Sequence, residues 1–170
     1  MEAAETTRPE MTHSERSFLL QRVQPALTGL IDGSLSTLAP IFSVALATHN
    51  PRYAFFAGLA TAIGAGISMA FSEGLSDTGE ETGRGSPVVR GGITGAGTFV
   101  GGVLHTLPFL VPHYDAAIAL AIVVVALELI ALAYLRYRFF PVGFMQSLAQ
   151  VTFGGILIAG VSAALGTAAS

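Results

Sequence analysis

The chain has 170 residues, of which 52% are hydrophobic and only 11% charged, and its mean hydropathy is +0.65. Soluble domains carry about 25% charged residues, so this composition excludes a water-soluble globular domain, and it equally excludes a disordered chain. The net charge is −3, every basic residue is an unclustered arginine and cysteine is absent, which excludes nucleic-acid binding, disulfides and thiolate chemistry.

Residues 1–22 mix Glu and Arg without an apolar core. They predict a polar cytoplasmic segment rather than a cleaved signal peptide, with a short interfacial helix over residues 14–24. Five apolar stretches follow, at about residues 23–48, 53–75, 91–111, 116–134 and 144–165. Each is close to the ~20 residues that a bilayer demands. The connectors are short and punctuated: a turn at His49–Arg52, a polar loop at Ser76–Arg90, a break at Pro112–Asp115 and a basic elbow at Arg136–Gly143. The expected fold is an all-α membrane protein, with five transmembrane helices making one domain over residues 23–170. Arg8, Arg16, Arg22, Arg84, Arg90, Arg136 and Arg138 all fall on one side of such a bundle, and Arg52 alone on the other. The positive-inside rule then predicts a cytoplasmic N-terminus and an external C-terminus.

Four ionisable side chains lie within the spans: Asp32, Glu73, His105 and Glu128. A charge there costs at least about 2.5 kcal/mol, so each is a candidate functional group. With no lysine, and with every arginine at a span boundary or in a loop, the three acids are expected to be protonated, hydrated or paired with a cation from outside the protein. Thr28, Asp32, Ser36 and Ser43 share a face of span one about 80° wide, a ladder of oxygens that suits an ion pathway. Pro25 and Pro40 lie at or near this stripe, where freed carbonyls are tolerated if they line a cavity. Met69 stacks one turn before Glu73 in span two. Carboxylates alone suit hard cations, whereas the thioether shifts preference toward first-row ions such as Fe²⁺, with Mn²⁺, Co²⁺ and Zn²⁺ also open. His105 and Glu128 are candidates for a proton or metal relay, and Asp77, Glu80 and Glu81 for cation capture at the cytoplasmic face. No nucleophile–base grouping, metalloprotease motif or phosphate loop is present, so an enzyme is not expected.

Asp32-Gly33-Ser34-Leu35-Ser36-Thr37 in span one, and Gly64-Ala65-Gly66-Ile67-Ser68-Met69 followed by Glu73 in span two, resemble the signatures of the vacuolar iron transporter family. Gly83-Arg84-Gly85-Ser86-Pro87 and His105-Thr106-Leu107-Pro108-Phe109-Leu110 are similar to the membrane half of bacterial membrane-bound ferritin iron exporters, with the ferritin-like domain absent. The resemblance implies a homodimer in the inner membrane that exports Fe²⁺, and often Mn²⁺, in exchange for protons. In it, Asp32 and Met69 line the path and Glu73 stands close by. It implies no permanently bound cofactor, only the transported ion, and lipid and divalent cations as the other partners. The competing expectation is a non-transporting membrane subunit that dimerises and docks a separate ferritin-like or metal-handling protein.

Overall fold

The computed structural model describes residues 11–169, and all regular structure among them is helical. Thr12 opens the first helix with a reciprocal cap. Its hydroxyl accepts from the Glu15 amide (3.3 Å), and its own amide donates to Glu15 Oε2 (2.8 Å). α1 (His13–Phe18) passes through a π-helical turn, Leu19–Val23, into α2 (Gln24–Thr48) without a break. The polar segment expected to end at residue 22 is therefore helical from His13 onward. Its first ten residues, including Arg8, lie outside the described residues. Pro25 accounts for the widened turn: its ring crowds the carbonyl four residues back and it has no N–H to offer, so the ladder there shifts to i→i+5 bonding.

His49, in the left-handed region (φ 50°), closes α2, and the Asn50 side chain accepts from the Arg52 amide (3.0 Å) to start α3 (Pro51–Gly74). A two-residue turn thus makes a tight antiparallel hairpin. A loop over residues 75–86 leads to α4 (Pro87–Thr106) and its 3₁₀ extension Leu107–Leu110, followed by α5 (Tyr114–Phe139) and α6 (Phe144–Ala168). Five helical stretches are long and apolar enough to cross a membrane. Large apolar side chains such as Ile67, Phe71, Leu127, Phe153 and Ile156 point outward, as lipid contact requires. This is the architecture of a multi-pass membrane protein.

α4 is the structural centre, packed between α2 and α3, while α6 lies along α2, and α5 lies against α6 and the 3₁₀ turn. Lipid tails are as apolar as the helices, so close backbone packing has to hold them together. Gly29 and Gly33 provide it: a Cβ at either position would stand 2.1 Å from the Thr94 carbonyl or 2.0 Å from the Thr98 carbonyl. At the hairpin end, Ile41, Ala45, Ala54, Phe109, Ala117 and Ala121 form the apolar core.

Candidate functional site

Glu73 lies in the last turn of α3 and Arg90 in the first turn of α4. Gly91 lets these turns touch, since a Cβ there would stand 2.5 Å from the Ala70 carbonyl. Arg90, 0% exposed, is consequently drawn into the bundle. Its Nε donates to Glu73 Oε1 (2.8 Å), Nη2 to Asp77 Oδ1 (3.0 Å) and Nη1 to the Gly85 carbonyl (3.0 Å). Arg84 closes the ring, donating from Nη2 to the same Glu73 oxygen (2.6 Å) and from Nη1 to Asp77 Oδ2 (3.0 Å). Two guanidinium groups and two carboxylates make a neutral quartet that folds the loop back over the helix ends. Burial pushes the Asp77 carboxyl up. The hydrogen bonds from Arg84 and Arg90, the Arg90 charge and the Gly79 amide outweigh this and hold it below the ordinary aspartate value.

The expectation that no span acid has a basic partner in the protein is therefore overturned for Glu73. Arg90 looks like a boundary arginine in sequence, but α3 and α4 run antiparallel and bring it level with Glu73. To ligate a metal through Oε1, Glu73 would have to release two arginines. Asp77, one of the three capture candidates, is likewise engaged, whereas Glu80 and Glu81 are exposed on the loop outside the quartet.

Glu128 and His105, on different helices, come together. Glu128, only 10% exposed, has Oε2 3.2 Å from His105 Nε2. Its Oε1 lies 2.5 Å from Ser34 Oγ, which also lies 2.7 Å from the Leu30 carbonyl. His105 Nδ1 faces the Gly101 carbonyl at 3.1 Å. Ser34 was not singled out from sequence, though a signal exists. Ser34 and Glu128 each lie fourteen residues from the hairpin-end terminus of their helix. Those ends are level, since the His49 and Tyr114 rings are 4.8 Å apart.

Asp32 differs from both. It is half-buried on α2, and no hydrogen-bond or ion-pair partner reaches it among the described residues. Ser36, one turn on, has a buried hydroxyl oxygen with no partner. Pro40 has no N–H to give the Ser36 carbonyl either. Other span hydroxyls behave differently: Thr37, Thr98 and Ser162 each donate to the carbonyl four residues back. Of the rest of the stripe, Thr28 is exposed, and Ser43 donates to the Ser162 carbonyl (3.1 Å), so it is tied to α6. Met69 is half-buried on α3, one turn before Glu73. Among the described residues, no three His, Cys, Asp or Glu side chains gather into a metal-binding group. Compared with known proteins, the chain matches no family model, no curated protein and no solved structure.

Proposed function

We propose that this chain is a divalent-metal exporter of the inner membrane. It moves Fe²⁺, or Mn²⁺, out of the cytosol in exchange for protons, as a homodimer with a cytoplasmic N-terminus and an external C-terminus. The observation that carries the reading is the isolation of Asp32. Glu73 is paired with two arginines and Glu128 lies against His105 and Ser34, whereas Asp32 has no partner among the described residues, and Ser36 one turn on has a buried hydroxyl oxygen with none. A carboxylate in hydrocarbon costs at least about 2.5 kcal/mol, and a passing cation is what this face lacks. A second copy packed along α2 removes Asp32 from lipid and doubles the oxygens offered to the ion. Metal binding requires the carboxylate form, so metal uptake and proton release are linked. The Met69 thioether biases the path toward first-row ions.

Asp32→Asn tests this, because it keeps size and hydrogen bonding while removing the charge and the exchangeable proton. In proteoliposomes with a metal-sensing dye and a pH dye, the variant should insert and dimerise yet lose metal flux and metal-driven proton movement together. Metal flux at the parental rate removes Asp32 from the path. One observation favours a second reading, a non-transporting subunit that docks a ferritin-like protein: no three-residue metal group forms among the described residues of the protomer. Metal uptake by vesicles holding the purified chain alone separates the two, since the subunit reading requires the partner.

A further inference from the structure

Glu128 lies fourteen residues into the 26-residue α5, about 21 Å along the axis, in the middle of the span. Its surroundings are decided by counting hydrogens. Ser34 Oγ carries one hydrogen, yet two oxygens lie within bonding distance, the Leu30 carbonyl and Glu128 Oε1. A carbonyl only accepts. If Glu128 is a bare carboxylate, one hydrogen serves two acceptors. If Oε1 carries a hydrogen, Glu128 donates to Ser34, Ser34 donates to Leu30, and both contacts are satisfied.

The other side of the carboxyl is short of a hydrogen too. His105 Nδ1 faces the Gly101 carbonyl, so that nitrogen holds the hydrogen of the neutral ring. Nε2 is then a lone pair facing Glu128 Oε2, a buried oxygen with no aligned donor. Four contacts run from the Gly101 carbonyl to the Leu30 carbonyl. A neutral imidazole, a carboxylate and a serine bring two hydrogens to them and leave a net charge of −1. One added proton fills a third contact and makes the cluster neutral; a second leaves it at +1. In hydrocarbon the neutral state is the favoured one.

Among the described residues, no other charged group reaches the cluster. α6 and the 3₁₀ turn contain no titratable side chain. Asp32, two residues from Ser34, points about 160° around α2 from it. Arg90 is about 22 Å from His105 along α4, and on α5 itself Asp115, Arg136 and Arg138 lie two turns or more from Glu128.

We propose that Glu128, His105 and Ser34 form a membrane-buried site for one exchangeable proton, held either between Glu128 and Ser34 or between Glu128 and His105. The carboxyl passes the proton from the α4 side to the α2 side by exchanging which oxygen carries it. In a chain that exchanges metal for protons this is the proton-carrying element, separate from the metal-binding face at Asp32. That role rests on the transport reading; the proton binding does not.

The test uses the full chain in lipid nanodiscs with ¹⁵N-labelled histidine, read by NMR and by the infrared C=O stretch of protonated carboxyls. Across about pH 8 to 5, His105 and Glu128 should report a single shared one-proton step. In Glu128→Gln the carboxyl signal is lost and the His105 ring stays neutral throughout. In Ser34→Ala the step persists, but its signal moves from protonated carboxyl to imidazolium. The parental protein supplies the first result, so the test does not depend on any variant folding. Independent titration of His105 and Glu128, no titration of either, or a His105 response unchanged by Glu128→Gln overturns the site; an unchanged Ser34→Ala removes Ser34 from it. In proteoliposomes, Glu128→Gln should lower the protons moved per metal ion several-fold, and an unchanged ratio overturns the assigned role. If parental vesicles move no metal, the transport reading fails while the nanodisc result stands.

Discussion

Truncating Arg90 to alanine measures how the loop end of the bundle is held. The side chain makes three hydrogen bonds, two of them to carboxylates, and is 0% exposed. Hydrogen bonds involving a charged group are each worth about 1.5–3 kcal/mol, but they do not sum here, because Arg84 still reaches both carboxylates. The closer guide is the loss of one partner from a buried pair, about 3–5 kcal/mol. That corresponds to roughly two to nearly four orders of magnitude in the unfolding equilibrium. Arg84, with its side chain 22% exposed, belongs closer to surface pairs, so Arg84→Ala should cost about 1 kcal/mol or less. Arg90→Lys keeps the charge but not the fork that reaches Glu73, Asp77 and Gly85 at once, and should fall between them. Equilibrium unfolding in mixed micelles, followed by helical circular dichroism, ranks the three. Equal losses for Arg90→Ala and Arg84→Ala, or an Arg90→Ala loss under about 1 kcal/mol, refute the claim that the buried guanidinium organises this end.

Two further outcomes follow from particular atoms. Gly29→Ala places a methyl group 2.1 Å from the Thr94 carbonyl and must push α2 off α4, at a cost of about 1–3 kcal/mol. Gly64→Ala, with nothing within 4 Å of the new atom, should gain about 0.5–1 kcal/mol from helix propensity, and thermal melting of the pair in detergent checks both signs. The Asp77 carboxyl is held below its ordinary value in the folded state, so its contribution is full above the unfolded value near 4 and is lost as pH falls through the folded value. Protease resistance of the 75–86 loop should therefore drop below about pH 4 in the parent and be low at all pH values in Asp77→Asn; resistance unchanged on acidification refutes the sign.

Five spans were legible from their apolar runs, because runs of this length have few other uses, but the second and third helices begin at Pro51 and Pro87 rather than at 53 and 91, because proline favours the first turn and polar residues can open a helix before its apolar part. The partners of the acids were harder to read, for different reasons. Arg90 and Glu73 are seventeen residues apart and meet only because a folded loop returns the chain at the same depth. A depth count across the loop finds that pairing, whereas reading Arg90 as the end of a polar loop misses it. Ser34 and Glu128 are ninety-four residues apart and obey the same count, but which faces of α2 and α5 meet depends on helix crossing, and no periodicity encodes that. The joining of α1 to α2 was obscured because polar residues between His13 and Gln24 hide a helix that continues the span beyond its apolar part.

Gly33 separates the two roles proposed for α2. It stands between Asp32, which has no partner among the described residues, and Ser34, which reaches Glu128, and its missing side chain lets the helix rest on the Thr98 backbone. One turn of α2 thus carries the proposed cation face on one side and the proposed proton contact on the other, with no flexible element between them. In the proposed proton site, a proton at Glu128 would change which acceptor the Ser34 hydrogen serves, the carboxyl or the Leu30 carbonyl of the same helix. That carbonyl precedes Asp32 by two residues. The proposed exchange of a cation at Asp32 for a proton at Glu128 would then need no long-range signal, because both sites involve the same few residues of α2, held against α4 at a contact too tight to slide independently.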